Sequence, residues 1–176
     1  MDESVFRAML KWPDVPAVYG WLRLDRRGRW RIRMAAGSDG AEERRFEPIG
    51  NAAMTAFIAR NYLPDARGCW YFQNGPQRVF VSLACAPLVY AVAGSGLTDQ
   101  CGRAIGHLES AWLDEEGSLI LKAEHGVGIL DDRDLGVFSD QLADGFLGLG
   151  GKRHPVGRVE GAELESRFGY VREPGP

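Results

Sequence analysis

The segment AVYGWLRLDRRGRWRIRM, residues 17–34, leaves the chain little choice of local structure. Two runs rich in aromatic and branched residues flank Asp25-Arg26-Arg27-Gly28. Aspartate at the first turn position and glycine at the fourth suit a type I turn closed by a left-handed glycine, the bulged three-residue hairpin loop. That loop sets a register with Asp25 opposite Arg29, Leu24 opposite Trp30 and Leu22 opposite Ile32. One face then reads Leu22, Leu24, Trp30, Ile32, Met34 and the other Trp21, Arg23, Arg31, Arg33. A two-residue loop would mix arginines with leucines, so pattern and turn chemistry agree.

The same design returns in AWLDEEGSLILKA. Asp114 and Gly117 match Asp25 and Gly28, while Leu113, Leu119 and Leu121 match Leu24, Trp30 and Ile32. Trp112 and Ile120 stand where Arg23 and Arg31 stood, which predicts a hairpin covered on both faces. The tips carry opposite charge, Arg26-Arg27 against Glu115-Glu116. A helix follows each hairpin. Pro48–Leu63 has so wide an apolar surface that it reads as a buried helix. After a strand at Val127–Leu130, Asp131 is the expected N-cap of a helix with Leu135, Phe138, Leu142 and Phe146 as its stripe. A further helix over Glu3–Trp12 ends at Pro13 and Pro16, and PLVYAVAG is a run between the two halves. The class is α+β, antiparallel hairpins packed on helices, with two weakly similar hairpin-plus-helix repeats. The expected divisions are residues 1–66, 67–150 and a C-terminal extension, 151–176, within one compact unit.

At 176 residues and 45% hydrophobic, the chain can bury roughly 70% of its unfolded surface without disulfides or metal. Cys69, Cys85 and Cys101 are an odd number and form no close pair, so they read as buried or idle thiols. MDESVFRAMLKWPD lacks the pattern of a signal peptide, and no apolar window is long enough to span a membrane. A cytoplasmic protein is therefore expected, with no membrane association. Residues 1–34 hold eight basic and four acidic side chains, while 107–144 hold two and ten. With an overall charge of −3, this asymmetry points to a partner or to docking of one half on the other, not to nucleic acid.

Cys69–Leu83, CWYFQNGPQRVFVSL, reads as a further hairpin. An Asn-Gly turn would need Pro76 to donate the closing hydrogen bond, and proline has no N–H. The loop is therefore expected to be wider, leaving Gln73, Asn74 and Gln77 with unused donors and acceptors beside Arg78. His107, Glu109, Lys122 and Glu124 read as a cross-strand charge ladder, and His125, Asp131, Asp132 and Asp134 lack metal-binding spacing. Gly145–His154 fails as a phosphate loop and reads as a helix end running into a glycine loop. The tail beyond it reads as a short strand and one short helix. No metal and no cofactor are expected.

W-x-x-L-D-R-R-G-R-W, the helix PIGNAAMTAFIARNYL and the run YFQNGPQRVFVSLACAPLVYAV together resemble a small proteobacterial family of unknown function. In order of elements, residues 18–146 also resemble a larger bacterial domain-of-unknown-function family. The resemblance implies an α+β fold of repeated hairpin/helix units, with a role in ligand binding or signalling, and transfers no catalytic residue.

The leading expectation is a non-enzymatic binding or regulatory domain with its site between the two halves. Trp21, Arg23, Arg31, Arg33, Tyr71, Gln73, Asn74, Gln77 and Arg78 would line it and accept an anionic small molecule or an acidic protein surface. Two alternatives are a hydrolase using His107, His125 and the Asp131–Asp134 acids, and a homodimeric scaffold joining the Arg26-Arg27 tip to Glu115-Glu116 of another copy.

Overall fold

Aspartate-glycine turns recur through the chain. In Asp25–Gly28, Asp65–Gly68, Asp99–Gly102 and Asp114–Gly117 the glycine has a positive φ, between 73° and 81°. In all four, Oδ1 of the aspartate accepts the amide four residues on: Arg29, Cys69, Arg103 and Ser118. A short acceptor at the first position and a residue free of Cβ strain at the fourth close each loop locally. The computed structural model describes residues 1–34 and 45–176. It divides into two units, Met1–Asp25 with Arg29–Ala84 and Tyr170–Pro176, and Arg26–Gly28 with Cys85–Gly169.

The first unit holds helices α1 (Glu3–Lys11) and α2 (Ala52–Arg60). Its strands are β1 (Val18–Leu24), β2 (Trp30–Arg33), β3 (Phe46–Pro48), β4 (Tyr62–Pro64), β5 (Trp70–Asn74) and β6 (Gln77–Leu83). They form one mixed sheet in the order β3-β2-β1-β6-β5-β4, with β1 and β6 parallel. The expected pairing holds, Leu22 with Ile32 and Leu24 with Trp30. One sheet face buries Leu22, Leu24, Trp30, Tyr62, Trp70 and Phe72. Phe57 of α2 meets Phe72 edge-on at 5.4 Å, and Tyr62 lies 4.9 Å from Trp30 and 4.7 Å from Trp70. Along the outer end of the hairpin, however, Ile32 and Met34 are exposed.

The helix expected over Pro48–Leu63 is shorter: Pro48 ends β3, Asn51 caps α2 by accepting the Met54 amide, and Tyr62 opens β4. Nor is it a buried helix, since only Ile58 of its residues is fully covered. Alanine explains the difference, because Ala52, Ala53, Ala56 and Ala59 raise apolar content while carrying little area to bury.

The second unit holds seven strands: β7 (Leu88–Ala93), β8 (Gly96–Asp99), β9 (Leu108–Leu113), β10 (Leu119–Ala123), β11 (Gly126–Leu130), β12 (Phe146–Leu149) and β13 (Lys152–Arg158). Its helices are α3 (Ser139–Ala143) and α4 (Leu164–Phe168). The sheet order is β12-β13-β9-β10-β11-β7-β8. Leu113 pairs with Leu119, and Leu119, Ile120 and Leu121 are all buried, so β10 is covered on both faces as expected. The expected helix after Asp131 is instead a 3₁₀ turn, Leu135–Phe138, and the five-residue α3. Asp131 binds Arg133 and does not cap a helix, and Phe146 lies on β12. The expected glycine loop is also a hairpin, with Gly150-Gly151 turning between Leu149 and Lys152. Consecutive glycines supply the two left-handed residues that the tightest hairpin turn demands. Among the described residues, no helix is long and apolar enough to cross a membrane.

Candidate ligand-binding groove

The turn between β5 and β6 is tight. Asn74 pairs with Gln77, leaving Gly75 and Pro76 as its two central residues, and Gly75 has φ +56°. The expectation of a wider loop is corrected by a one-residue shift. With glycine first and proline second, only the first position needs a positive φ, and Pro76 is not asked to donate. Gln77 donates from Nε2 to the Pro16 carbonyl at 3.2 Å, tying the turn to the segment after α1.

Register then decides which side chains meet. Gln73 lies opposite Arg78 and Tyr71 opposite Phe80; Arg23 lies opposite Ser82 and Arg31 opposite Arg23. Arg78, Phe80 and Ser82 alternate along β6, so Gln73, Tyr71, Arg78, Arg23 and Arg31 share one face of the sheet. Trp21 and Arg33, two residues along their strands, belong to it as well. The arginines of this face lie over aromatic rings: Arg33 at 6.0 Å from Trp21, Arg23 at 5.9 Å from Phe46, Arg78 at 4.8 Å from Tyr71. Arg31 donates to the Phe46 carbonyl at 3.0 Å and meets Asp25 at 3.5 Å. The nine expected site residues all belong to the first unit. Two of them, Gln73 and Arg78, line a groove.

That groove has a volume of about 470 Å3. One wall is α1 and the segment after it, with Phe6, Leu10, Trp12 and Val15; the other is the turn, with Gln73, Pro76 and Arg78. The N-terminal end of α1 is held by buried Asn61, whose Oδ1 accepts the Asp2 amide at 2.8 Å while Nδ2 donates to the Phe57 carbonyl at 2.9 Å. Arg60 binds the Asp2 carboxylate at 3.2 Å and holds it below the usual carboxylate range. Val5 is the buried residue of α1, while Phe6, Leu10 and Trp12 are at least half exposed.

Two of the lining residues, Gln73 and Arg78, are polar. Gln73 is 1% exposed; its Nε2 donates to the Gly75 carbonyl at 2.9 Å, and no described group partners its Oε1. Arg78 is exposed, and no described carboxylate lies within ion-pair distance of it. It is the one formal charge among the groove's lining residues. Sequence reasoning found the turn half of this groove and missed the helix half. In sequence α1 is apolar at Val5, Phe6, Met9 and Leu10, an ordinary amphipathic stripe, so no local signal marked it as a groove wall.

Several charged residues of the second unit have local partners. Lys122 binds Glu109 at 3.0 Å, Glu124 accepts the Gly106 and His107 amides, and His125 Nε2 is 3.2 Å from the Ala104 carbonyl. Arg133 holds Asp131 at 2.9 Å and lowers its carboxyl to about 2. Arg27 binds Asp132 at 3.0 Å, and Asp134 accepts the Val92 amide at 2.7 Å. Among the described residues, no three His, Cys, Asp or Glu side chains are gathered as a metal ion would require. Arg26 reaches Glu116 of its own chain at 3.5 Å and Ser118 at 2.6 Å, a contact made in cis. Burial pushes the Cys101 thiol up to about 12 and raises that of Cys69.

Sheet, turns and groove define an α+β domain of hairpins and short helices. A family model described as a protein of unknown function (DUF2946) matches residues 1–175, and the chain belongs to that family. Among curated proteins none matches. A DUF1285 family protein from Silicibacter pomeroyi DSS-3 is similar in structure, with 17% identity over 85% of this chain and 84% of that one, at a TM-score of 0.50. A DUF1285 family protein from Shewanella baltica OS155 has 15% identity over 68% of this chain and 91% of that one, at a TM-score of 0.46. At 17% identity the likeness to the Silicibacter pomeroyi protein is one of fold.

Proposed function

We propose that this protein is a non-enzymatic binding domain with a regulatory or signalling role, and that the groove beside the β5–β6 turn takes a small amphipathic anion. The observation that carries the reading is Arg78, the one formal charge in the lining of an otherwise apolar groove, with no described carboxylate within ion-pair distance. The groove volume falls within the range of small-molecule sites, which pair apolar walls with a few placed polar groups. Arg78 supplies a fork of donors suited to a carboxylate or phosphate. In this reading Gln73 and Arg78 touch the ligand and Tyr71 braces Arg78. Asn74 and Gln77 hold the turn, while Trp21, Arg23, Arg31 and Arg33 stiffen the sheet face.

Anilinonaphthalene sulfonate, an apolar anion, is a suitable probe. Its fluorescence should rise on binding the folded protein, and Arg78→Glu and Leu10→Glu should each weaken binding by about tenfold. Arg158→Glu, an equal charge reversal in the second unit, should leave binding unchanged. Dye binding indifferent to both groove substitutions would sink the reading.

A further inference from the structure

We infer that β1 and β2 carry a second anion site, in which Arg23, Arg31 and Arg33 hold the phosphate group of a small soluble phosphate monoester. None of these residues lines the groove, so the site is additional to the one proposed above. Arg23 and Arg31 are directly paired across the β1–β2 hairpin, and Arg33 is two residues along β2 on the same face. Like charges placed directly opposite one another destabilise a sheet, so the pair calls for a counter-charge.

The described residues supply little of it. Asp25 lies 3.5 Å from Arg31, but Arg29 takes the same carboxylate oxygen at 2.8 Å. No described carboxylate lies within ion-pair distance of Arg23 or Arg33. Ser82, which pairs with Arg23 from the other side, binds Glu173 at 2.7 Å, and that carboxylate too is beyond ion-pair distance of Arg23. Four arginines therefore share one described carboxylate.

These side chains are half-buried and braced, yet keep donors to offer. Arg31 donates to the Phe46 carbonyl at 3.0 Å, the Arg23 guanidinium lies 5.9 Å from the Phe46 ring, and Phe46 pairs with Arg33. All three arginines thus neighbour Phe46. A guanidinium over a ring keeps the N–H groups at its edge available to an anion. A monoanion would leave most of the surplus charge unmatched. A phosphate monoester brings about two negative charges at neutral pH and three acceptor oxygens that suit the arginine fork. With −3 on the whole chain, a small anion is favoured over a long polyanion.

Calorimetric titration of the full chain with methyl phosphate and methyl sulfate tests this at slightly alkaline pH and constant ionic strength. The two anions share a shape, but only methyl phosphate carries a second negative charge. Methyl phosphate should bind about tenfold more tightly. Arg23→Gln and Arg33→Gln should each weaken its binding by about tenfold, and Arg158→Gln should leave it unchanged. Equal affinity for the two anions, or no binding of either, overturns the inference. So does methyl phosphate binding that both arginine variants retain, or that Arg78→Glu alone removes, which would place the anion in the groove. The wild-type pair decides the matter even if a variant fails to fold. Dye binding, read through Arg78→Glu and Leu10→Glu, tests the groove separately, so either site can fail without the other.

Discussion

The β1–β2 and β9–β10 hairpins close with the same turn and the same register but meet different surroundings. Asp25 and Asp114 each accept the amide four residues on, and Leu24–Trp30 and Leu113–Leu119 are equivalent pairs. Beyond those pairs the likeness stops. In the second hairpin Leu121 is 1% exposed, while its counterpart in the first, Ile32, is 41% exposed. β10 is bracketed by β9 and β11 in the interior of a seven-stranded sheet, whereas β2 has only the three-residue β3 beyond it. A turn fixes which residues face each other, and position in the sheet decides whether water is excluded from them.

The widest separation between the hairpins should come from matched truncations. Leu121→Ala should cost about 2–5 kcal/mol, the range for removing a fully buried branched side chain. Ile32→Ala, already half in water, should cost about 1 kcal/mol or less. Urea denaturation of both variants measures this directly. Equal losses would mean that Ile32 is covered in solution and that the contrast between the hairpins is false.

The turn glycines give a smaller but sharper contrast. Gly28 and Gly117 have similar left-handed backbones, φ +73° and +81°. An added Cβ at Gly117 meets nothing within 4 Å, but one at Gly28 would lie 2.9 Å from Gln100 Cβ. Gly117→Ala should therefore cost only the backbone strain, about 1–2 kcal/mol. Gly28→Ala should cost more than that, because a Cβ of the neighbour cannot swing away as the end of a flexible side chain does. Equal denaturation midpoints for the two would show that the Gln100 contact yields.

These contrasts also show what the amino-acid pattern encodes. Turn chemistry was legible, because an aspartate acceptor and a left-handed glycine act over four residues, and register followed from it. The turns at Asp65 and Asp99 carry the same signature, in DARG and DQCG, but stand between less regular runs. What the pattern encodes poorly is area. α2 is rich in alanine and looks buried by count, yet covers little. α1 looks amphipathic but buries only Val5, because Asn61 and Arg60 hold its first turn through polar contacts. The candidate groove was legible on its strand side for the same reason. Gln73 and Arg78 are hairpin partners, while Phe6, Leu10 and Trp12 reach the groove through a tertiary placement that no local spacing announces.

Asp131 marks where this local chemistry becomes charge-dependent, and it should give the smallest of these effects. Unlike Asp114, whose Oδ1 is satisfied by backbone amides, Asp131 also binds the Arg133 guanidinium through both carboxylate oxygens. That guanidinium is the main reason its carboxyl is depressed to about 2. An unfolded aspartate titrates near 3.9. Because the folded value is the lower one, the pairing contributes its full stability above the unfolded value. It loses that stability progressively as pH falls from about 4 toward 2. Asp131→Asn should lower stability at neutral pH and flatten the acid limb of the stability profile over that interval. Parallel acid limbs for wild type and Asp131→Asn would show that the Arg133 pairing contributes nothing in solution.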